Sequence, residues 1–171
     1  MKQSFWKTAL VSIGALMIMA ACSNEAAEPF EIDPETDTCA NCNMSVADNK
    51  HATEIILTNG KTFVFDDIGC MFNWTDENED KEIEKSFVRD YDTDEWIEVE
   101  DSYFVYDENI KTPMAFNVIS FEDESSAEKF IKESGGELLT YKDLEKHDLV
   151  QHKEMNHHKT DTDSHGDHSE M

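Results

Sequence analysis

Positive charge is scarce in this sequence. Its 171 residues include 14 lysines and arginines against 39 aspartates and glutamates, a formal net charge of −25 at pH 7. A surface with such an excess of negative charge repels phosphate backbones and anionic lipid headgroups. We therefore expect no nucleic-acid partner, and any attachment to a membrane must come from another feature of the chain.

Long apolar runs and catalytic patterns are also missing. The apolar run over residues 9–21 is too short to cross a bilayer comfortably. We find no phosphate-binding glycine-rich loop and no set of nucleophile, base and orienting residue. These absences favour a binding protein over an enzyme.

The apolar run reads instead as a targeting signal. Lys2 and Lys7 make a short basic start, and the run ends in Met-Ala-Ala directly before Cys22. This pattern is typical of a bacterial lipobox, whereas the alternative is an ordinary signal peptide cut after Ala21. We predict a signal peptide over 1–21 and acyl chains, such as palmitate, on Cys22. They would anchor the protein on the extracytoplasmic face of the cell membrane.

The remaining chain divides into three parts. Residues 22–37 are mostly polar and predict a flexible tether, and residues 38–150 are long enough for one modest domain. Residues 151–171 lack apolar periodicity and predict a disordered tail that binds Cu(II), Zn(II) or Ni(II) loosely, or a plain solvated terminus. The tail histidines are His152, His157, His158, His165 and His168.

The domain pattern predicts an α+β fold of two ββαβ units, about 51–92 and 95–140, with antiparallel or mixed sheets. Asn59-Gly60 indicates a hairpin between strands near 52–58 and 61–65, followed by a helix over 68–78 and a strand over 85–92. In the second unit, 95–107 and 112–121 are strand-like. Ser125 predicts a capping box for a helix to Ser134, and Gly135-Gly136 end that helix before a strand over 137–140. Thr140 is predicted to cap a last short turn to His147.

Three cysteines remain beyond Cys22, an odd number that leaves at least one thiol without an intramolecular partner. Cys39 and Cys42 fall in the segment Cys-Ala-Asn-Cys-Asn-Met, which ends at Met44. A disulfide, half of a zinc ribbon and a redox pair are all possible for these cysteines. Haem attachment is excluded, because Asn43 and not histidine follows Cys42.

Met44 separates these alternatives, because thiolate and thioether ligands together select Cu(I). In an extended segment, Cys42 and Met44 would project to the same side, so we predict a Cu(I) site formed by Cys39, Cys42 and Met44. Met44 as a core residue is the alternative. Further possible ligands are His51, Cys70 and Met114, although core packing explains Cys70 and Met114 equally well. Asp66 and Asp67 are interpreted as helix caps.

These segments together resemble the NosL family of lipoprotein copper chaperones associated with nitrous oxide reductase maturation. The Cys39–Met44 segment is similar to a Cys-x-x-Cys-Gly-Met motif, with Asn43 in place of glycine. Residues 60–70 resemble an Asp-Gly-Lys…Phe-Asp-Asp-x-x-Cys motif, and Thr112–Phe116 resembles a Thr-Pro-Met segment. The resemblance implies two ββαβ units and Cu(I) held by Cys42 and Met44, with Cys39 as their neighbour.

The resemblance further implies delivery of copper to nitrous oxide reductase, and thus a role in denitrification. Another copper enzyme is a possible recipient, and a copper exporter or a maturation complex would be a partner. Two other functions compete. A thiol–disulfide reductant of copper-site cysteines would use Cys39 and Cys42 without needing Met44. A surface metal scavenger would depend on the histidine-rich tail.

Overall fold

The computed structural model of this chain describes residues 27–147 and residue 149. The predicted signal peptide, the lipidation site Cys22 and the tail histidines lie outside these residues. Within the described part, no helix has the length and apolar character needed to cross a membrane.

The first unit is a four-stranded antiparallel sheet with one helix. The strands stand in the order β2-β1-β3-β4, and the hairpin at Asn59-Gly60 joins β1 to β2 as predicted. Helix α1 follows β2 directly. The elements are β1 (Thr53–Leu57), β2 (Thr62–Phe65), α1 (Ile68–Glu77), β3 (Ile83–Arg89) and β4 (Trp96–Glu98).

The second unit is a three-stranded antiparallel sheet in the order β6-β5-β7. Its helix α2 connects β6 to β7, so the order ββαβ recurs as predicted. A last short helix, α3, follows β7 and is capped by Thr140. The elements are β5 (Tyr103–Tyr106), β6 (Val118–Phe121), α2 (Glu124–Ser134), β7 (Glu137–Thr140) and α3 (Tyr141–Leu144).

Three local predictions for this second half are wrong. The strand expected over 95–107 is divided, because a 3-10 turn at Val99–Asp101 sends β4 to the first sheet and β5 to the second. The strand expected over 112–121 begins only at Val118, after a tight loop. Helix α2 begins after Asp123 and not after Ser125.

The second sheet is covered on both faces. Phe104, Val118 and Leu139 belong to the main hydrophobic core, which also includes α1 and the first sheet. The alternate residues Val105 and Ile119 face a smaller core beneath α2. Because side chains alternate along a strand, this short sheet contributes to both cores.

Residues 30–37, here called the N-terminal strap, pack against the domain. The Phe30 amide donates to both carboxylate oxygens of Glu54 at 3.2 and 3.1 Å, and the Ile32 side chain is only 3% exposed. Asp37 then accepts the Val46 amide at 3.0 Å through its carbonyl oxygen. The packed chain therefore begins before the predicted domain boundary at residue 38.

Candidate metal centre

The segment that contains Cys39, Cys42 and Met44 is a tight loop beside β2. Thr38 and Ser45 form a bridge at its base, and the Cys39 amide donates to the Met44 carbonyl at 2.7 Å. Asn43 has φ of +60°, which an asparagine tolerates more easily than most residues. The segment is therefore not extended, and the alternation that we expected between Cys42 and Met44 does not apply.

Three thiols and one carboxylate meet at this loop. The sulfur atoms of Cys39, Cys42 and Cys70 and a carboxylate oxygen of Asp66 all lie within 4.8 Å of one another. Cys39 and Cys70 are fully buried, whereas Cys42 is partly exposed. All three thiols are free, so the structure contains no disulfide between Cys39 and Cys42.

Two chain segments bring these groups together. The Ala40 amide donates to the Val64 carbonyl at 3.0 Å, which fixes the loop against the end of β2. Directly after β2 the chain supplies Asp66, and the first turn of α1 supplies Cys70. The cluster therefore lies where a loop, a strand end and a helix start converge.

The hydrogen bonds within the cluster favour a single negative charge on Cys39. The Cys70 thiol donates to the Cys39 sulfur, and together with the amides of Cys42, Asp66 and Asn41 it lowers the pKa of Cys39 to about 6 despite burial. The same hydrogen bond, followed by burial, raises the pKa of Cys70. These bonds favour the thiolate form of Cys39, which is the form in which cysteine binds metals.

Cys42 is held by a different partner. Its thiol donates to both carboxylate oxygens of Asp66 at 3.5 Å, a normal separation for a sulfur donor. Burial is the main cause that raises the pKa of Cys42 to about 11. A metal that binds here must therefore displace the Cys42 proton, and its apparent affinity should rise with pH.

Asp66 is the residue of this cluster that the sequence interpretation missed. Both aspartates were interpreted as helix caps, but only Asp67 caps α1, accepting the Gly69 amide at 3.3 Å. A single residue occupies the N-cap position of a helix, so two adjacent aspartates signal that the other one has a different role.

The remaining predicted ligands are placed differently. The Met44 side chain is 58% exposed, and Met114 is partly buried against the core that includes Cys39 and Cys70. His51 lies outside the thiol cluster, with its ring centroid 6.5 Å from that of Tyr91, and burial lowers its pKa. The tail histidines lie outside the described residues.

The fold and the cluster define an α+β protein with a thiol-rich candidate metal centre. The family model of NosL matches residues 29–149. This match covers most of the sequence, so the chain belongs to the NosL family, as the sequence motifs predicted. Among curated proteins, none matches the chain.

A solved structure has a similar fold. It is the crystal structure of the copper chaperone NosL from Shewanella denitrificans, with a TM-score of 0.60 and 20% sequence identity. The match covers 67% of this chain and 93% of the crystallised one. The likeness confirms the predicted α+β fold.

Proposed function

We propose that this protein is a membrane-anchored, extracytoplasmic Cu(I) metallochaperone that delivers copper to a cuproenzyme, with nitrous oxide reductase as the expected recipient. The observation that carries the proposal is the group of three free thiols within 4.8 Å of one another. Membership of the NosL family, and a fold shared with a protein described as a copper chaperone, support copper as the cargo.

The donor atoms fit a soft, monovalent metal. Thiolates and thioethers favour Cu(I), whereas Asp66 offers a hard oxygen that this ion does not prefer. We assign Cys39, Cys42 and Met44 as ligands, with Cys70 as a third thiol and Met114 as a second thioether. Asp66 would hold Cys42 in place and accept its proton when the metal binds.

The exposure of the sulfur atoms suggests how copper leaves. Cys39 and Cys70 are closed off from solvent, whereas Cys42 is partly exposed and Met44 largely so. An incoming ligand of the recipient would attack the ion from the side of Cys42 and Met44. Copper would then transfer by exchange of ligands, and its oxidation state would not change.

Lipidation of Cys22 would keep this site close to a copper exporter and to the recipient. His51 is not assigned to the copper, because it lies outside the thiol cluster. His152, His157, His158, His165 and His168 would provide at most a weak secondary site.

A thiol–disulfide reductant is the second candidate, favoured by one observation. Cys39 is a free thiol whose pKa is lowered to about 6 beside two further free thiols. Cys42 beside it is partly exposed, so the two cysteines together could exchange with a disulfide of another protein. Met44 has no role in that chemistry, so replacing it distinguishes the two candidates.

The test is a Cu(I) titration of the reduced chain from Ser23 to Met171 against a chromogenic Cu(I) chelator. We expect one tightly bound Cu(I). Cys42→Ser should weaken Cu(I) binding by about 100-fold or more, because it removes a charged thiolate ligand, and Met44→Leu should weaken it by about tenfold, because a thioether ligand is neutral. Deletion of residues 152–171 should have no effect.

Zn(II) serves as the competing metal in the same titration. A preference for Zn(II), or Cu(I) binding that survives both sulfur substitutions, would contradict the chaperone proposal. Loss of binding on deletion of residues 152–171 would instead support a metal scavenger.

A further inference from the structure

We propose that Asp67 is a positioning residue for the copper site, which acts by holding the Met114 thioether at the thiol cluster. This inference rests on the proposed function, because it concerns the same site. Asp67 directly precedes the helix that carries Cys70, and its carboxylate accepts from Gly69 and from the loop of Thr112 and Met114.

The Asp67 carboxylate joins the two units of the protein. It is 1% exposed, and one of its oxygens accepts the Thr112 hydroxyl at 2.6 Å and the Met114 amide at 2.9 Å. The other oxygen accepts the Gly69 amide at 3.3 Å. An ordinary helix cap needs only this last bond, so two of the three bonds serve another purpose.

The loop that Asp67 binds is also held by hydrogen bonds on its far side. The Asn117 amide donates to the Thr112 hydroxyl at 3.1 Å, and the Asn117 side chain donates to the Ile110 carbonyl. Ala115 and Asn117 both have positive φ values, of 59° and 64°. Asparagine adopts such values fairly readily, but alanine does so mainly where its surroundings hold it there.

Direct packing fixes the same loop to α1. A Cβ atom added at Gly69 would overlap the ring of Phe116, so the ring lies directly on the first turn of the helix. Only glycine permits this close approach. The main chain of Met114 therefore has a fixed position relative to Cys70, which is in the same turn.

The Met114 side chain carries the sulfur atom that this loop would position for Cu(I). It is partly buried and packs against the core that contains Cys39 and Cys70. Thioether sulfur is a ligand for Cu(I) but only a weak hydrogen-bond acceptor. Groups that orient a metal ligand from behind affect affinity about 10- to 100-fold without touching the metal.

A purely structural role would explain the same hydrogen bonds, and a double-mutant cycle separates the two roles. Thr112→Val removes the hydroxyl that binds Asp67 but leaves the helix cap at Gly69 intact. Met114→Leu removes the sulfur and keeps the side-chain volume. Cu(I) affinity is measured for the chain from Ser23 to Met171 with each change and with both, by competition with the chromogenic chelator.

We expect each single change to weaken Cu(I) binding by about tenfold. The double variant should bind no more weakly than Met114→Leu alone, because Thr112 would act only through the sulfur. X-ray absorption at the copper edge should show one sulfur fewer in Met114→Leu. In Thr112→Val, the same sulfur should be lost or lie further away.

Conservative variants and a matched control complete the design. Thr112→Ser retains the hydroxyl and should bind Cu(I) within about twofold of wild type. Asp67→Asn in the same cycle with Met114→Leu gives a second route if Thr112→Val does not fold. Asp123→Asn changes the corresponding cap of α2, which has no side-chain capping bond, and should leave affinity unchanged.

Additive losses in the cycle, or unchanged affinity in Thr112→Val, would overturn the inference and leave the proposed function standing. Failure of the wild-type protein to bind Cu(I) would overturn both.

Discussion

Helices α1 and α2 occupy the same place in the two ββαβ units, and both begin after an aspartate. Asp67 before α1 is buried and accepts three hydrogen bonds, whereas Asp123 before α2 is exposed and makes no capping bond through its side chain. Helix α1 buries four neighbouring residues of its first turn, Ile68–Met71. The only buried residue of α2 is Ala127.

The difference shows that one topology can place a helix start in very different surroundings. Water satisfies the free amides of an exposed helix start, but a buried start must find protein partners for them. At α1 the Asp67 carboxylate accepts the Gly69 amide, and the same carboxylate also accepts the Thr112 hydroxyl and the Met114 amide of the neighbouring loop. The candidate metal centre is therefore in the unit whose helix start is enclosed.

The largest difference in stability between the two helix starts is expected from substitutions at the second residue of each helix. Gly69→Ala should lower the free energy of unfolding by about 3 kcal/mol or more, because the new Cβ would overlap the Phe116 ring. Ser125 has the matched position in α2 and is exposed, so Ser125→Ala should change stability by no more than about 0.5 kcal/mol. Urea unfolding followed by tryptophan fluorescence measures both. Equal effects would refute the contrast between the two helix starts.

The pH dependence of stability should distinguish the two sheets. Burial raises the pKa of Glu54, in β1, from 4.5 to about 7. The folded state then holds this proton more tightly than the unfolded state, so the stabilisation is complete below pH 4.5 and is lost as the pH rises through 7. One pKa unit corresponds to about 1.4 kcal/mol, which predicts a loss of about 3 kcal/mol across this range.

Glu54→Gln should remove this loss and make the protein more stable than wild type at pH 8. Glu137 in β7 is exposed, and Glu137→Gln is the matched variant in the second sheet, for which we expect no such change. Unfolding free energies of all three proteins, measured from pH 4.5 to 8, make the comparison. A wild-type profile parallel to that of Glu54→Gln would contradict the prediction.

Replacing the two N-cap aspartates should change the free energy of unfolding by unequal but smaller amounts. Asp67→Ala leaves the Gly69 and Met114 amides and the Thr112 hydroxyl without their acceptor, at a cost of about 2 kcal/mol. Asp123→Ala should cost about 0.5 kcal/mol or less, because no side-chain bond is lost there. Thermal unfolding reports both values, and a larger loss for Asp123→Ala would reverse the comparison.

Local signals in the sequence predicted much of this fold. Asn59-Gly60 gave the hairpin, since a turn of this kind depends on adjacent residues. The end of α2 at Gly135 followed from the same kind of local chemistry, and φ there is +88°. The family motifs were sufficient to predict the NosL family.

Contacts between segments that are distant in the sequence could not be predicted from local sequence patterns. Asp66 differs from Asp67 only in what it meets, which is Cys42 from a separate loop. Likewise, the residues from Glu95 to Asp107 have a strand-like pattern throughout, but the first part pairs in one sheet and the last part in the other. The sequence left Cys70 open between core packing and metal binding, because both produce the same pattern, and the structure places its buried thiol beside Cys39.

The N-terminal strap has a mechanical consequence. A pull on the chain upstream of Phe30 is first borne by the amide bonds to Glu54 and by the buried side chain of Ile32. Cys39 lies downstream of both, behind the bridge between Thr38 and Ser45. The strap therefore acts as a strain relief, which keeps a force applied upstream of Phe30 from distorting the thiol loop.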